Sequence, residues 1–194
     1  MSEWEVPIKL AAGEFRGVVL GVRPEQLAEP TPCAGYDVRG LLNHVLYWAP
    51  RLTAAARREP PPPSDGGEVA ADLVTGDWQG RLGTLTDELV AALAAPGATE
   101  GTTTMGGGEL PAAMVAAMEL CELVIHGWDL ARATGQPFDC APEAVAAAEE
   151  AMRGMAEQGR AMGVFGPEVP VRPEAGPLER TLALSGRDPS WRPS

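Results

Sequence analysis

Apolar residues recur every three to four positions along most of this chain, the spacing that lines one face of an α-helix. Residues 4–22 carry Val6, Leu10, Phe15, Val18, Val19 and Val22 on such a face. Pro24 and the segment AEPTPCAGYD (28–37) end that helix and form a loop. Asp37 is the expected N-cap of a second helix that opens with Val38-Arg39 and runs to about Arg58, with Leu41, Val45, Trp48 and Leu52 inward. Pro60–Pro63 and Gly66-Gly67 make a connector, stiff and then flexible. A third helix is expected over about 69–95, with Leu73, Trp78, Leu82, Leu85, Leu89 and Leu93.

The stretch PGATEGTTTMGGGELP (96–111) has no helical pattern and reads as a long loop, able to close over a neighbouring site. A fourth helix runs from about Pro111 to Ala133. Pro111 suits its first turn, and Gly135 suits the residue just past its end. A fifth covers about 142–161. The tail, 162–194, is broken by Pro and Gly, and only Leu178–Ser185 can add a short helix. Prolines spoil the strand character of VFGPEVPV, so no strand is expected. The pattern predicts an all-α fold in one domain, 1–194, in which four long helices form a bundle and the fifth helix and tail pack around it.

Composition narrows the function. With 15 Lys and Arg against 27 Asp and Glu, the net charge is −12, which excludes the clustered cations that nucleic acid or an anionic membrane needs. No run of eighteen apolar residues offers a membrane span, and the N-terminus lacks the pattern of a secretory signal. The three cysteines, Cys33, Cys121 and Cys140, form no CxxC pair, so a reducing cytoplasm is expected. Cys33 precedes a helix start, where a thiol pKa can fall, but a packing role is the simpler reading.

The chain has only two histidines. His44 shares a helix face with Leu41, Val45 and Trp48. His126 lies one helical turn after Glu122, and residues four apart project from the same face. A carboxylate and an imidazole on a core-facing surface are costly without partners, and one cation satisfies both. His44 is the only other imidazole able to complete a set from a facing helix. Two His and one carboxylate leave coordination positions open, as in catalytic zinc and non-haem iron sites. Asp129, three residues after His126, is placed to orient its ring. An ExxxH pair is equally a common surface pair, His44 alone also reads as a hydrogen-bonded core histidine, and Asp129 also reads as a packing or capping acid. Asn43 and Glu119 have weaker claims, as solvated or packing residues.

TPCAGYDVRGLLNHVLYW (31–48) and ELCELVIHGWDLARATGQP (119–137) resemble the two hallmark segments of the mycothiol-dependent maleylpyruvate isomerase N-terminal family of the DinB superfamily, and the tail FGPEVPV…PLERTLALSGRDPSW (165–191) is similar to that of a subgroup of small actinobacterial metal-binding members. Tyr36 stands where the first segment commonly has Trp, and Gly40 where it has an acid. The resemblance implies a four-helix bundle in up-down-down-up order, with His44, Glu122 and His126 as metal ligands and catalytic centre. It implies a divalent metal, Zn2+ before Ni2+ or Fe2+, and mycothiol as cosubstrate. The expected activity is thiol transfer to an electrophile or thiol-assisted isomerisation, the partners being a small-molecule thiol and an electrophilic substrate. The alternative is a metal-dependent binding or sensing module without turnover. Isomerases of the family carry a further C-terminal domain, and little chain follows the bundle here, so maleylpyruvate is not the expected substrate. Some relatives dimerise, which leaves a homodimer open.

Overall fold

A computed structural model describes residues 2–64 and 66–193. Its first helix, α1 (Glu5–Gly21), buries Ile8, Ala11, Phe15, Val18 and Val19. Val6 and Leu10, expected on that face, lie beside the buried stripe and are each 39% exposed. Helix α2 (Val38–Arg57) starts at the expected cap: the Asp37 carboxylate accepts from the Gly40 N–H at 2.7 Å, satisfying a donor that the first turn leaves free.

The third helix begins later than its apolar pattern suggests. Residues Glu68–Ala70 form only a 3-10 turn, and α3 spans Trp78–Ala94. Two local features delay it. Gly76 adopts φ +58°, outside the helical region, and the Asp77 carboxylate caps the Gly80 N–H at 3.0 Å. Leu73 therefore belongs to the connector, where its N–H donates to Asn43 Oδ1 at 2.8 Å.

The segment expected to be an unstructured loop contains a β-hairpin. Strands β1 (Thr102–Met105) and β2 (Gly108–Pro111) pair antiparallel, with Met105 opposite Gly108. Three β-branched threonines favour the extended chain. The two loop residues, Gly106 and Gly107, take φ +61° and +81°, the paired left-handed conformations that a tight two-residue hairpin turn requires.

Next comes one continuous rod: α4 (Ala112–Cys121), a π-helical turn (Glu122–His126) and α5 (Gly127–Thr134), closed by Gly135 at φ +69°. Helices α6 (Pro142–Ala161) and α7 (Pro177–Leu184) follow. Helix α2 packs on α3 and α4, while α1 packs on α3 and on the rod, closing a four-helix bundle. Helix α6 lies against α1 and α4, and α7 against α6. Leu41, Leu42, Leu82, Leu89, Val115 and Leu120 fill the centre. Among the described residues no helix is long and apolar enough to cross a membrane.

Candidate metal centre

The bundle brings the two helix faces that carry histidine against one another. His44 projects from α2, and Glu122 and His126 project from the π-helical turn, where one extra residue per turn widens the rod locally. A single carboxylate oxygen, Glu122 Oε2, lies 3.3 Å from His44 Nε2 and 3.2 Å from His126 Nε2. The two imidazole centroids are 5.2 Å apart. One ligand atom from each of the three side chains falls within 4.8 Å of the others.

Each imidazole is held from behind by a second carboxylate. His126 Nδ1 lies 3.0 Å from Asp129 Oδ2, and Asp129 is fully buried. His44 Nδ1 lies 3.1 Å from Glu68 Oε1. An ionised carboxylate only accepts, so each Nδ1 carries a proton, and each ring turns its Nε2 toward Glu122. Glu68 is fixed in turn by the Tyr36 hydroxyl, which donates to Oε1 at 2.8 Å, and by the Trp48 indole N–H, which donates to Oε2 at 2.8 Å. The Asn43 amide lies 3.4 Å from the Glu68 carbonyl oxygen, which ties the connector to α2.

On the other side, Arg187 arrives from the chain after α7. Its Nη2 donates to Asp129 Oδ2 at 3.2 Å and to Cys33 Sγ at 3.0 Å, and its Nη1 donates to the Ser185 carbonyl. Glu68 and Arg187 were not legible as site residues: each lies in a segment without periodicity, and only the tertiary fold brings it in. Asn43 is a clasp for the connector, not a solvated residue. Glu119, only 4% exposed, is likewise not solvated.

Burial and charge set the proton affinities. Burial alone raises the Glu122 carboxyl, but the His126 and His44 imidazoles outweigh it and hold it well below the usual carboxylate range. Burial lowers His126, and the carboxylates of Glu122 and Asp129 more than reverse that, to about 9. For Cys33 burial dominates: the thiol is pushed up to about 11 despite Arg187, so the low-pKa option for this loop cysteine is not realised. Cys121, beside Glu122 in sequence, turns away to the Ala148 carbonyl at 3.8 Å, and burial raises it further still.

A cavity of about 460 Å³ opens beside Glu122 and His126. The β1–β2 hairpin, the α4 rod, the end of α6 and the turn after it form its walls.

The sequence matches the model of the mycothiol maleylpyruvate isomerase N-terminal domain over residues 8–131. It is 30% identical over 181 residues to two relatives from Mycobacterium tuberculosis, uncharacterized protein Rv0738 of strain ATCC 25618 / H37Rv and uncharacterized protein MT0763 of strain CDC 1551 / Oshkosh; the match covers 91% of this chain and 93% of each relative. Among solved structures, the fold is similar to the crystal structure of the mycothiol-dependent maleylpyruvate isomerase, with TM-score 0.63 and 18% identity. A histidine-to-alanine mutant of that isomerase gives 0.64 and 17%. Each structural match covers 86% of this chain and 73% of the other. At these identities the structural likeness is one of fold.

Proposed function

This chain belongs to the mycothiol maleylpyruvate isomerase N-terminal domain family, and from that membership and the geometry of the site we propose that it is a divalent-metal-dependent enzyme working with a low-molecular-weight thiol such as mycothiol. The observation that carries the reading is a convergence of metal-donor atoms. Two Nε2 atoms face one carboxylate oxygen at 3.2 and 3.3 Å, with both Nδ1 sides already committed to carboxylates. Positive charge belongs between these groups, as a proton on imidazole in the metal-free chain or as one cation that takes its place.

The donor set fits a divalent cation. Nitrogen and oxygen ligands at about 2.0–2.2 Å in a tetrahedral shell lie about 3.3 Å from each other, close to the separations of the two nitrogens from the oxygen here. The charges fit as well. Glu68, Glu122 and Asp129 bring three negative charges and Arg187 brings one positive. Once an ion displaces any proton from the Nε2 atoms, the remaining deficit equals one dication. Imidazole and carboxylate suit Zn2+, and Ni2+ and Fe2+ take the same donors. His44, Glu122 and His126 would hold the ion, with a position left open toward the cavity.

When bound, the ion supplies Lewis acidity that lowers the pKa of a thiol and makes it a nucleophile at neutral pH. The remaining work falls to the protein. Glu68 and Asp129 fix the tautomers and ring planes of the two histidines. Arg187 balances Asp129, so that burying a carboxylate behind His126 leaves no uncompensated charge. The cavity receives the second reactant next to Glu122. The reaction class is thiol transfer to an electrophile or thiol-assisted isomerisation. Zinc-loaded protein is expected to consume mycothiol in the presence of an electrophile, or to isomerise an unsaturated acceptor only when the thiol is present. His44→Ala should abolish either reaction; equal rates in the variant would overturn the proposal.

A further inference from the structure

We propose that Glu119 is a positioning residue for Glu122: through one water molecule between them it holds the second carboxylate oxygen of Glu122, so that Glu122 turns a single oxygen to the metal. This role rests on the metal-dependent function proposed above. Glu119 is the one acidic side chain of α4 and lies three residues before Glu122, so the two share a side of the rod. It is 4% exposed. Beside it, on the bundle side of Glu122, lies a second and much smaller cavity, with Phe15 of α1 and Leu52 of α2 among its apolar walls. The centre of a water-sized sphere has about 10 Å³ in it, enough for one water molecule. Among the described residues, four side chains bring polar atoms to its lining: Trp48, Thr86, Glu119 and Glu122.

The hydrogen bonds of these four groups decide what a water there can do. The Trp48 indole N–H is given to Glu68 at 2.8 Å, and the Thr86 hydroxyl donates to the Leu82 carbonyl at 2.9 Å. Toward the cavity Thr86 therefore only accepts. Glu122 spends Oε2 on the two imidazoles, and its Oε1 also only accepts. A water offers its two protons to Thr86 and to Glu122 Oε1, and the one group left to donate to it is Glu119 as a neutral acid. Burial, and after it the like charge of Glu122, favour that form and push the Glu119 carboxyl well above the usual carboxylate range; only His126 pulls the other way. The charge sum agrees. Glu68, Glu122 and Asp129 already balance Arg187 and one dication, so an ionised Glu119 would bury one negative charge in excess. The hydrogen bonds thus run from Glu119 O–H to water to Glu122 Oε1, and Oε2 is left for the ion. A carboxylate with both oxygens free can grip an ion with both. Holding Oε1 keeps that further position open for the thiol.

Two variants of the whole chain separate this role from packing. Glu119→Leu removes the donor, whereas the amide of Glu119→Gln can still donate to the water. In zinc competition against a chromogenic chelator, Glu119→Leu should bind about tenfold more weakly than wild type, and Glu119→Gln within about threefold of it. The visible bands of the cobalt-loaded protein, which report coordination, should move in Glu119→Leu and stay in Glu119→Gln. The infrared spectrum of the wild type at neutral pH should contain the C=O stretch of a neutral carboxyl that both variants lack. Wild-type zinc affinity and cobalt bands in Glu119→Leu would overturn the inference. Equal losses in both variants would overturn it too, since they would mean an ionised Glu119. Thr86→Val takes an acceptor from the same water and should shift the infrared band, which serves if the leucine variant does not fold; an unmoved band would count against the water link. A wild-type chain that takes up neither zinc nor cobalt overturns the metal-dependent function itself, an outcome told apart by the unsubstituted protein alone.

Discussion

Glu68→Gln is the most informative single change at the site, because it alters one atom and removes one charge. The carboxylate accepts three hydrogen bonds, from Tyr36 and His44 on Oε1 and from Trp48 on Oε2. A glutamine amide has one acceptor oxygen and must place its NH2 on one side or the other. If the NH2 faces Trp48, two donors meet at a position built for a 2.8 Å hydrogen bond, at a cost of about 1–3 kcal/mol. If it faces Tyr36 and His44, then Nδ1 of His44 must become the acceptor. The proton then moves to Nε2, the atom that points at Glu122, and His44 is lost as a ligand in that tautomer. Either choice loses the orienting carboxylate, a change worth about 10–100-fold in metal affinity, or about 1.4–2.7 kcal/mol. Zinc competition against a chromogenic chelator measures this. Wild-type affinity in Glu68→Gln, with the fold intact by circular dichroism, would refute the coupling of Glu68 to the metal through His44.

Two further outcomes test the surroundings of the site. Arg187→Ala leaves the fully buried Asp129 without its cationic partner, and should destabilise the protein by about 3–5 kcal/mol in urea unfolding; a loss within error of zero would contradict the assigned ion pair. Earlier on α6, Glu149 pairs with Arg180 at 2.6 and 2.8 Å and also with Arg153, and the hydrogen bond from Arg180 leads in holding its carboxyl below the usual value. Its folded pKa being depressed, the stability it contributes is present above the unfolded value of about 4.3 and disappears as pH falls through the folded one. Glu149→Gln should therefore cost about 1–3 kcal/mol near pH 7 and progressively less below about pH 4, and a pH-independent difference would speak against the pair.

Much of this fold is written in the spacing of its apolar residues. The face of α2, the Asp37 cap, the rod ending at Gly135 and the short α7 all follow from helical periodicity and from residues with a fixed conformational role. Glu122 and His126 were legible for the same reason, since four-residue spacing puts them on one side of a helix. What periodicity could not give was anything placed by tertiary contact alone. Glu68 sits in a proline- and glycine-rich connector, and Arg187 beyond the last helix, yet each reaches the back of the site. The hairpin had a readable signal that helical patterning obscured: a threonine run, then Met105 and three glycines, the first two of which supply the positive φ of a tight turn. Periodicity places the start of α3 too early, because Leu73 continues the apolar pattern into a segment that Gly76 and Asp77 keep out of the helix.

The proposed function depends on a cation joining His44 to the Glu122–His126 pair. Its most direct test is the metal content of untagged protein, purified without added metal or chelator and measured by inductively coupled plasma mass spectrometry alongside His44→Ala. The wild-type chain should carry about one divalent ion, zinc foremost, and the variant far less. A folded wild-type protein that carries no divalent metal, and takes none up when zinc is supplied, would contradict it.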